Sequence, residues 1–160
     1  MSQKQEVIVD MFNKIASTYD VANRILSAGI DKSWRKKAVK KSFEILQKRE
    51  LELICDVACG TGDMILFWQE GAKEERVEIK KIVGIDPSVK MLEVAKEKIK
   101  DVEFIEGYAN RLELRDESCD ILSIVYGLRN VVERKEALKE FARVLKSGGL
   151  LVILEFTNEQ

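Results

Sequence analysis

The chain contains no histidine, one proline and three cysteines among its 160 residues. Without histidine, a Ser-His-Asp triad and a Cys-His dyad are excluded. The cysteines (Cys55, Cys59 and Cys119) lack the paired spacing of a zinc site, so we expect no metal site and reduced thiols. No apolar run is long enough to span a bilayer, and the first residues do not resemble a signal peptide. We therefore expect a cytoplasmic enzyme or binding protein.

Charge is unevenly distributed along the chain. The net charge is −1, yet residues 1–49 carry 11 basic and 5 acidic side chains. Most of the basic excess lies between Lys32 and Arg49. A basic helix face can contact anionic lipid or nucleic acid, or it can simply be solvated, and the charge pattern alone leaves these interpretations open. We expect no nucleic-acid partner, and peripheral contact with the inner face of a membrane remains an option.

Hydrophobic periodicity separates the chain into a helical N-terminal part and an alternating remainder. Apolar residues spaced by three or four predict a helix from about residue 30 to 48. Beyond it, short apolar runs alternate with helical patterns, which is typical of a parallel sheet with right-handed crossovers. The predicted strands are Leu51–Val57, Ile79–Ile85, Val102–Ile105, Ile121–Tyr126 and Leu150–Phe156.

Start and stop signals flank the predicted helices of this second part. One apolar stripe runs from Met91 to Ile99 and is preceded by Ser88; another runs from Ala137 to Leu145 and is closed by Gly148–Gly149. We expect one α/β domain. It would consist of a helical cap over residues 1–49 and a Rossmann-like core over residues 50–160, with five parallel strands and helices on both faces.

A glycine-containing turn follows the first predicted strand, in the sequence Asp56-Val57-Ala58-Cys59-Gly60-Thr61-Gly62-Asp63. Such a turn lets the backbone approach a ligand, and the helix that follows presents free N–H groups. A Walker A loop would need Gly-Lys-Ser/Thr, which is absent. A dinucleotide fingerprint would need Gly or Ala where Ile65 stands. The turn instead resembles motif I of class I methyltransferases; a tight turn without a ligand is the alternative.

Asp86 ends the second predicted strand, in Val83-Gly84-Ile85-Asp86-Pro87-Ser88. An acidic residue about 20 residues beyond the glycine turn can accept hydrogen bonds from ribose hydroxyls. Asp86 is therefore the expected ribose ligand. The alternative is helix capping, a role that Ser88 could share.

Two further loops follow the third and fourth strands. Where many class I methyltransferases have Asp or Asn before Ala, this chain has Tyr108-Ala109, so we expect Ala109 to offer its backbone N–H to adenine. Tyr126 and Gly127 end the fourth strand, and Arg129 follows them. Arg129 either holds an oxyanion or pairs with a surface acid.

Several segments together resemble the ubiquinone/menaquinone biosynthesis C-methyltransferase (UbiE-type) family. They are Ala16-Ser17-x-Tyr19-Asp20-x-x-Asn23, the glycine turn, Gly127-Leu128-Arg129-Asn130-Val131 and Arg143-Val144-Leu145-Lys146-Ser147-Gly148-Gly149. The resemblance implies a class I fold that binds S-adenosylmethionine and methylates a carbon of a prenylated quinol, either demethylmenaquinol or a polyprenyl methoxybenzoquinol. The implied cofactor-binding residues are Asp56, Ala58, Gly60, Gly62, Asp86, Ala109 and Tyr126.

The same resemblance suggests catalytic roles. The quinol hydroxyl must lose its proton, and Tyr19, Asp20 or a held water would accept it. Arg129 would stabilise the developing oxyanion, and Phe12 and Tyr19 would help to exclude water. Two alternatives remain: a methyltransferase for another small molecule or lipid, and a non-catalytic protein that binds S-adenosylmethionine.

The chain also departs from the family pattern. Tyr108 replaces the usual polar residue, and Ser147 stands where a proline precedes the glycine pair. The family sheet has seven strands in the order 3-2-1-4-5-7-6, and strands six and seven are expected to be missing here. Residues 150–154 would then form an exposed apolar edge. We expect this edge to pair with another copy, which predicts a homodimer, or else the chain to be a fragment of a longer protein.

Overall fold

The computed structural model describes residues 2–27 and 30–156. Met1, Ala28, Gly29 and residues 157–160 lie outside this description. The helices are α1 (Gln3–Ile15), α2 (Tyr19–Ser27), α3 (Ile30–Leu46), α4 (Asp63–Glu75), α5 (Val89–Lys98) and α6 (Arg134–Val144), with a short 3₁₀ helix over Leu128–Asn130. The strands are β1 (Glu50–Val57), β2 (Glu78–Asp86), β3 (Glu103–Glu106), β4 (Cys119–Val125) and β5 (Leu145–Leu154).

The five strands form one sheet in the order β3-β2-β1-β4-β5. Every adjacent pair is parallel, which confirms the predicted sheet. The burial of β4 fits this arrangement. Its first six residues are all buried, as expected of a strand covered on both faces. The strand order reverses between β1 and β4, and in such sheets ligands bind at the carboxyl ends beside that switch point.

Helices cover both faces of the sheet, so the core has two parts. On one face α3, α4 and α5 pack around Trp68, whose ring makes an edge-on contact with Phe43 at 5.8 Å between centroids. On the other face α6 packs through Ala137, Phe141 and Val144, which are fully buried. Burial of these large side chains is the main contribution that fixes the helices on the sheet.

The last predicted helix and strand meet earlier than the sequence indicates. Helix α6 ends at Val144, and Leu145, which the apolar stripe assigned to that helix, already pairs with Cys119 in the sheet. The glycine pair therefore lies inside β5, where the register shifts between Cys119 and Ile121. Gly148 takes a left-handed conformation there, with φ of +77°, so the glycines form a strand irregularity and do not terminate a helix.

Helices α1 and α2 lie at the carboxyl end of the sheet, whereas α3 packs on its face. Ser2 caps α1 by accepting a hydrogen bond from the Gln5 N–H. Ser88 caps α5 in the same way, bonding the Met91 N–H, as its position in the sequence predicts. Within the described residues, no helix combines the length and apolar character needed to cross a membrane.

Candidate functional site

A cavity of about 350 Å³ lies at the carboxyl ends of the strands, a volume within the usual range of small-molecule sites. Loops after β1, β2, β3 and β4 form its floor and sides. The wall facing these loops comes from α1 and the start of α2. It consists of Ser2, Gln5, Ile8, Val9, Phe12 and Tyr19.

The glycine turn bends through three left-handed residues, Ala58 (φ +53°), Gly60 (+54°) and Gly62 (+85°). Only the first two line the cavity. A Cβ added to Gly60 would meet no atom within 4 Å, whereas one added to Gly62 would lie 2.8 Å from Ile99. Gly60 therefore leaves space for a ligand beside its backbone, and Gly62 instead allows α4 and α5 to pack closely.

Asp86 lies at the rim of β2 and lines the cavity, with only 7 % of its surface exposed. One carboxylate oxygen accepts a hydrogen bond from the Gly60 N–H at 2.8 Å, and the other accepts one from the Ser88 N–H at 2.8 Å. Burial raises the pKa of Asp86 to about 6, although the two N–H donors oppose the shift. Each oxygen keeps a lone pair for a ligand hydroxyl.

Asp56 does not reach the cavity, contrary to its expected place among the cofactor-binding residues. Its carboxylate is 2 % exposed and accepts a hydrogen bond from Ser123 Oγ at 2.6 Å. Ser123 in turn accepts one from Trp68 Nε1 at 3.1 Å. Burial raises the pKa of Asp56 to about 7. This buried chain ties the start of the glycine turn to β4 and α4, so Asp56 acts on the turn from beneath it.

The loop after β3 brings Tyr108, Ala109 and Asn110 to the cavity. Tyr108 forms an isolated bridge with Arg111, which closes the loop into a tight turn. Asn110 donates a hydrogen bond to the Glu133 carboxylate, so the loops after β3 and β4 are joined at the cavity mouth. Burial raises the pKa of Tyr108, with smaller contributions from Glu106 and Glu6, so its hydroxyl stays protonated at neutral pH.

At the end of β4, Tyr126 lines the cavity with a left-handed backbone (φ +57°). Its ring stacks on Phe156 at 4.6 Å, and the Arg35 guanidinium lies 5.3 Å from its centroid on a buried side chain. Its hydroxyl is buried, and no residue of the described chain hydrogen-bonds to it. A Cβ on Gly127 would lie 2.7 Å from the Ala58 Cβ, so the glycine lets the two loops touch.

Arg129 is not at the cavity. Its side chain is half exposed and pairs with Glu155 at 2.9 Å, with its guanidinium 5.6 Å from the Phe156 ring. Of the two roles that the sequence left open for Arg129, the structure shows pairing with an acid. The oxyanion role of Arg129 stays a prediction.

Tyr19 and Asp20 are adjacent in the chain but lie in different surroundings. Tyr19 lines the cavity and contacts the edge of Phe12, with 6.0 Å between ring centroids. Asp20 lies beside the cavity, where it accepts hydrogen bonds from Thr61 Oγ1 at 2.5 Å and Lys98 Nζ at 2.9 Å. Of these two candidate proton acceptors, only Tyr19 is among the described residues that line the cavity.

Sequence reasoning missed two residues that join α1 to the loops. Gln5 bonds the backbone near Asn130 and Val132, and Asn13 bonds Ser88 and Lys90. No local signal identifies either residue, because a single sequence does not distinguish an amide that is solvated from one that bonds a loop at the cavity. Gln5 and Asn13 are eight residues apart in α1, so they lie on one helix face, which also carries Val9 and Phe12.

Comparison with known proteins shows the family to which the chain is similar. A sequence model described as the ubiE/COQ5 methyltransferase family matches residues 1–160. A ubiquinone/menaquinone biosynthesis C-methyltransferase UbiE of Campylobacter jejuni is 60% identical over 158 residues, which cover 99% of this chain and 67% of that protein. A demethylmenaquinone methyltransferase of Thermotoga maritima is 43% identical over 145 residues, covering 91% of this chain and 59% of that protein.

A solved structure shares the fold. The crystal structure of a SAM-dependent methyltransferase from Aquifex aeolicus superposes with a TM-score of 0.62 at 24% sequence identity. The match covers 76% of this chain and 65% of that one. At this level of identity the likeness establishes the fold alone. In length, the chain spans about two thirds of the Campylobacter relative and less of the Thermotoga one.

Proposed function

The chain belongs to the ubiE/COQ5 methyltransferase family, and from that membership we propose that it methylates a ring carbon of a prenylated quinol. The names of the relatives suggest demethylmenaquinol or the corresponding benzoquinol as acceptor. One observation supports the proposal most strongly. The same cavity presents a carboxylate beside an open glycine, Asp86 and Gly60, opposite an apolar wall formed by α1. A polar donor and an apolar ring acceptor can therefore meet in one space.

S-adenosylmethionine is the cofactor that the family and the fold imply, and the residues present fit it. Gly60 leaves open space beside its backbone, so a ligand chain can lie against the turn. Asp86 keeps free lone pairs at the cavity for two ribose hydroxyls. The Ala109 backbone at the adjacent loop is the proposed partner of adenine, with Tyr108 beside it in place of the usual polar residue.

Once bound, the cofactor supplies an electrophilic methyl group. The chain contributes position and surroundings. Gly60, Asp86 and Ala109 would hold the donor. Ile8, Val9 and Phe12 form a wall that excludes water from the acceptor ring. Tyr19 is the proposed residue for holding or moving the proton of the quinol hydroxyl, because its ring lies at the cavity while Asp20 is bound to Lys98.

The test is methyl transfer with labelled S-adenosylmethionine and a short-chain demethylmenaquinol, using a sterol as the control acceptor. We expect label in the quinol and none in the sterol, and we expect Tyr19→Phe to slow transfer while Asp20→Asn retains it in part. Donor binding without label in any acceptor would favour a non-catalytic cofactor-binding protein. Label in the sterol alone would favour a methyltransferase for another lipid.

We further propose that α3 contacts the membrane in which such a quinol resides. Exposed residues along one stripe of this helix include both apolar and basic side chains: Ile30, Trp34, Lys37, Lys41 and Ile45. A stripe of this composition suits the boundary of an anionic bilayer. Binding to vesicles containing one third anionic lipid should exceed binding to neutral vesicles, and Trp34→Ser with Lys37→Glu should abolish the difference. Equal binding to both vesicle types would leave the stripe a solvated face.

We also propose that β5 pairs with its counterpart in a second copy of the chain. Strand β5 lies at the edge of the sheet, and it exposes Leu151 and Ile153 at about 40 % each. An apolar edge of this length favours addition of another strand. Sedimentation equilibrium should give twice the chain mass, and Ile153→Lys should return the protein to one chain. A single-chain mass for the unaltered protein would contradict the proposal.

A further inference from the structure

Helices α1 and α2 are attached to the sheet domain by three polar side chains, Gln5, Asn13 and Asp20. Each of them reaches a different loop at the carboxyl end of the sheet. Gln5 bonds the loop after β4, Asn13 bonds the segment after β2, and Asp20 bonds the glycine turn after β1. These three loops are also the ones that carry Tyr126, Asp86 and Gly60.

Gln5 grips a stretch of backbone with both ends of its amide. Its Nε2 donates to the Asn130 carbonyl at 3.3 Å, and its Oε1 accepts from the Val132 N–H at 3.1 Å. This loop has little other regular structure after its short 3₁₀ helix. Because the Gln5 amide bonds this loop at two backbone groups, it fixes both the position and the orientation of the loop over the cavity.

Asn13 acts on the start of α5 through a single oxygen. Its Oδ1 accepts from Ser88 Oγ at 2.7 Å and from the Lys90 N–H at 3.3 Å. The same Ser88 caps α5 and gives its backbone N–H to Asp86. The Ser88 hydroxyl thus links α1 to the turn that follows Asp86, the proposed ribose ligand. A shift of α1 would therefore move this turn.

Asp20 belongs to a charged cluster around Lys98. Lys98 Nζ lies 2.9 Å from Asp20 Oδ2 and 2.7 Å from Asp63 Oδ1, and Thr61 donates to the other Asp20 oxygen. All three charged side chains are about one quarter exposed. Partial exposure makes the cluster sensitive to salt while leaving it strong enough to hold α2 on the glycine turn.

Apolar packing alone holds α1 weakly. None of its residues is buried, and it exposes Val7, Met11 and Ile15 to solvent. Segments with few buried contacts open more readily than the core of a protein. The polar contacts therefore form a large share of what keeps α1 over the cavity, and losing them would free the helix without disturbing the sheet.

We propose that Gln5, Asn13 and Asp20 are positioning residues that hold the three donor-binding loops around S-adenosylmethionine, and that their release opens the cavity for exchange of donor and product. This inference rests on the proposed function only for the identity of the ligand. The residues touch loops and not the reacting atoms. Their loss should therefore change how long the ligand stays more than how well the methyl group is transferred.

The experiment measures dissociation of S-adenosylhomocysteine by stopped flow from the full chain and from Gln5→Ala, Asn13→Ala and Asp20→Asn. We expect each variant to release the product about five to ten times faster, since each loses one or two hydrogen bonds, one of them to a charged group. Exposed Gln3→Ala on the same helix and Glu103→Gln in the exposed Lys81–Glu103 pair are the matched controls; both should release it at the normal rate.

Two further readouts separate positioning from general stability. Amide exchange should speed up across α1 in Gln5→Ala and Asn13→Ala, and across α2 in Asp20→Asn, while the strands stay protected. Added salt should speed release from the unaltered chain and have a smaller effect in Asp20→Asn. The KM for the donor should rise more than kcat falls, and Asp20→Glu should restore near-normal release, because its carboxylate can still pair with Lys98.

The outcomes are distinct. Normal release rates in all three variants, with S-adenosylhomocysteine bound by the unaltered chain, would overturn the positioning role and leave the proposed function intact. Faster release accompanied by equal loss of strand protection would also overturn it, because the residues would then be structural. Failure of the unaltered chain to bind donor or product would overturn the proposed function and this inference together.

Discussion

Asp86 and Asp120 are both buried aspartates of the same sheet, and they lie at opposite ends of it. At the amino end, Asp120 is 2 % exposed and accepts hydrogen bonds from Lys48, Lys146 and the backbone N–H groups of Glu52 and Leu53. At the carboxyl end, Asp86 accepts two backbone N–H bonds, and no cation is bonded to it among the described residues. The Asp120 carboxylate therefore accepts four hydrogen bonds, two of them from lysines, whereas the Asp86 carboxylate accepts two and keeps free lone pairs.

The two environments shift the pKa in opposite directions. Burial alone would raise the pKa of Asp120, but bonds from Lys146, Lys48 and the backbone outweigh it and lower the pKa. Burial dominates at Asp86 and raises its pKa to about 6. Asp120 therefore stabilises the fold above its unfolded pKa and loses this effect as pH falls. Asp86 does the reverse: its contribution declines as pH rises from 3.8 to about 6. The Asp120 carboxylate thus stabilises the fold at neutral pH, whereas the Asp86 carboxylate lies at the cavity at a cost in stability.

Replacing Asp120 should have the largest effect, and it should be an effect on stability. Asp120→Ala leaves buried backbone N–H groups unpaired and removes the partner of two lysines, so we expect a loss of about 3 kcal/mol in unfolding free energy. Urea denaturation followed by far-UV circular dichroism measures it. Donor affinity of the folded fraction should stay within a factor of two. A tenfold loss of affinity would show that the two ends of the sheet are coupled.

Replacing Asp86 should have the opposite profile. Asp86→Ala removes the proposed ribose ligand, so the affinity for S-adenosylhomocysteine should fall about tenfold or more. Stability should change less than in Asp120→Ala, because removing a carboxylate whose ionised form is disfavoured by burial offsets part of the cost of unpairing the Gly60 and Ser88 N–H groups. Isothermal titration gives the affinity, and a thermal melt of the ligand-free chain gives the control. Unchanged affinity would refute the role of Asp86.

The raised pKa of Asp86 predicts a pH dependence of donor binding. Ribose hydroxyls donate to the ionised carboxylate, which in the free chain becomes protonated below about pH 6. Affinity should therefore fall as pH drops from 7.5 to 5, by about tenfold at one unit below that pKa. Titrations at five pH values test this, with Asp86→Asn as the control. The variant should bind weakly at every pH, and a profile in it as steep as in the unaltered chain would assign the effect to another group.

Two glycines extend the comparison between regions of the sheet, and the expected changes in stability and binding are smaller there. Gly60 at the carboxyl end and Gly148 in β5 both have positive φ, and an added Cβ at either would meet no atom within 4 Å. Alanine at either position should cost about 1 kcal/mol of stability from backbone strain. Only Gly60→Ala should also weaken donor binding, by several-fold, because its Cβ would occupy space proposed for the ligand. Equal binding by both variants would place the donor elsewhere.

The strands illustrate what a single sequence can predict. Their apolar runs identify β1, β2, β3 and β4 to within a few residues. Strand β4 is the simplest case, because it is buried on both faces and its apolar run carries no competing pattern. The predicted start of β5 was wrong, since Leu145 completes a helical stripe in the sequence but pairs with Cys119 in the sheet. Periodicity cannot detect such a direct change from helix to strand when no turn residue separates them.

The candidate site likewise contains some residues whose position the sequence predicts and others whose position it does not. Asp86 and Gly60 lie at the cavity as their positions after strands predict, since topology alone brings carboxyl ends together. Asp56 and Arg129 come from the same kinds of position, yet Asp56 points into the core toward Ser123 and Arg129 turns out to Glu155. Side-chain direction depends on partners far away in the sequence, which no local motif contains. For the same reason the contacts of Gln5 and Asn13 could not be foreseen.

A crystal structure with S-adenosylhomocysteine tests the central claim most directly. The account predicts both ribose hydroxyls within hydrogen-bonding distance of the Asp86 carboxylate, about 2.7 Å, with the ligand lying against Gly60. The product bound in another crevice, with the Asp86 carboxylate contacted only by the Gly60 and Ser88 N–H groups, would contradict it.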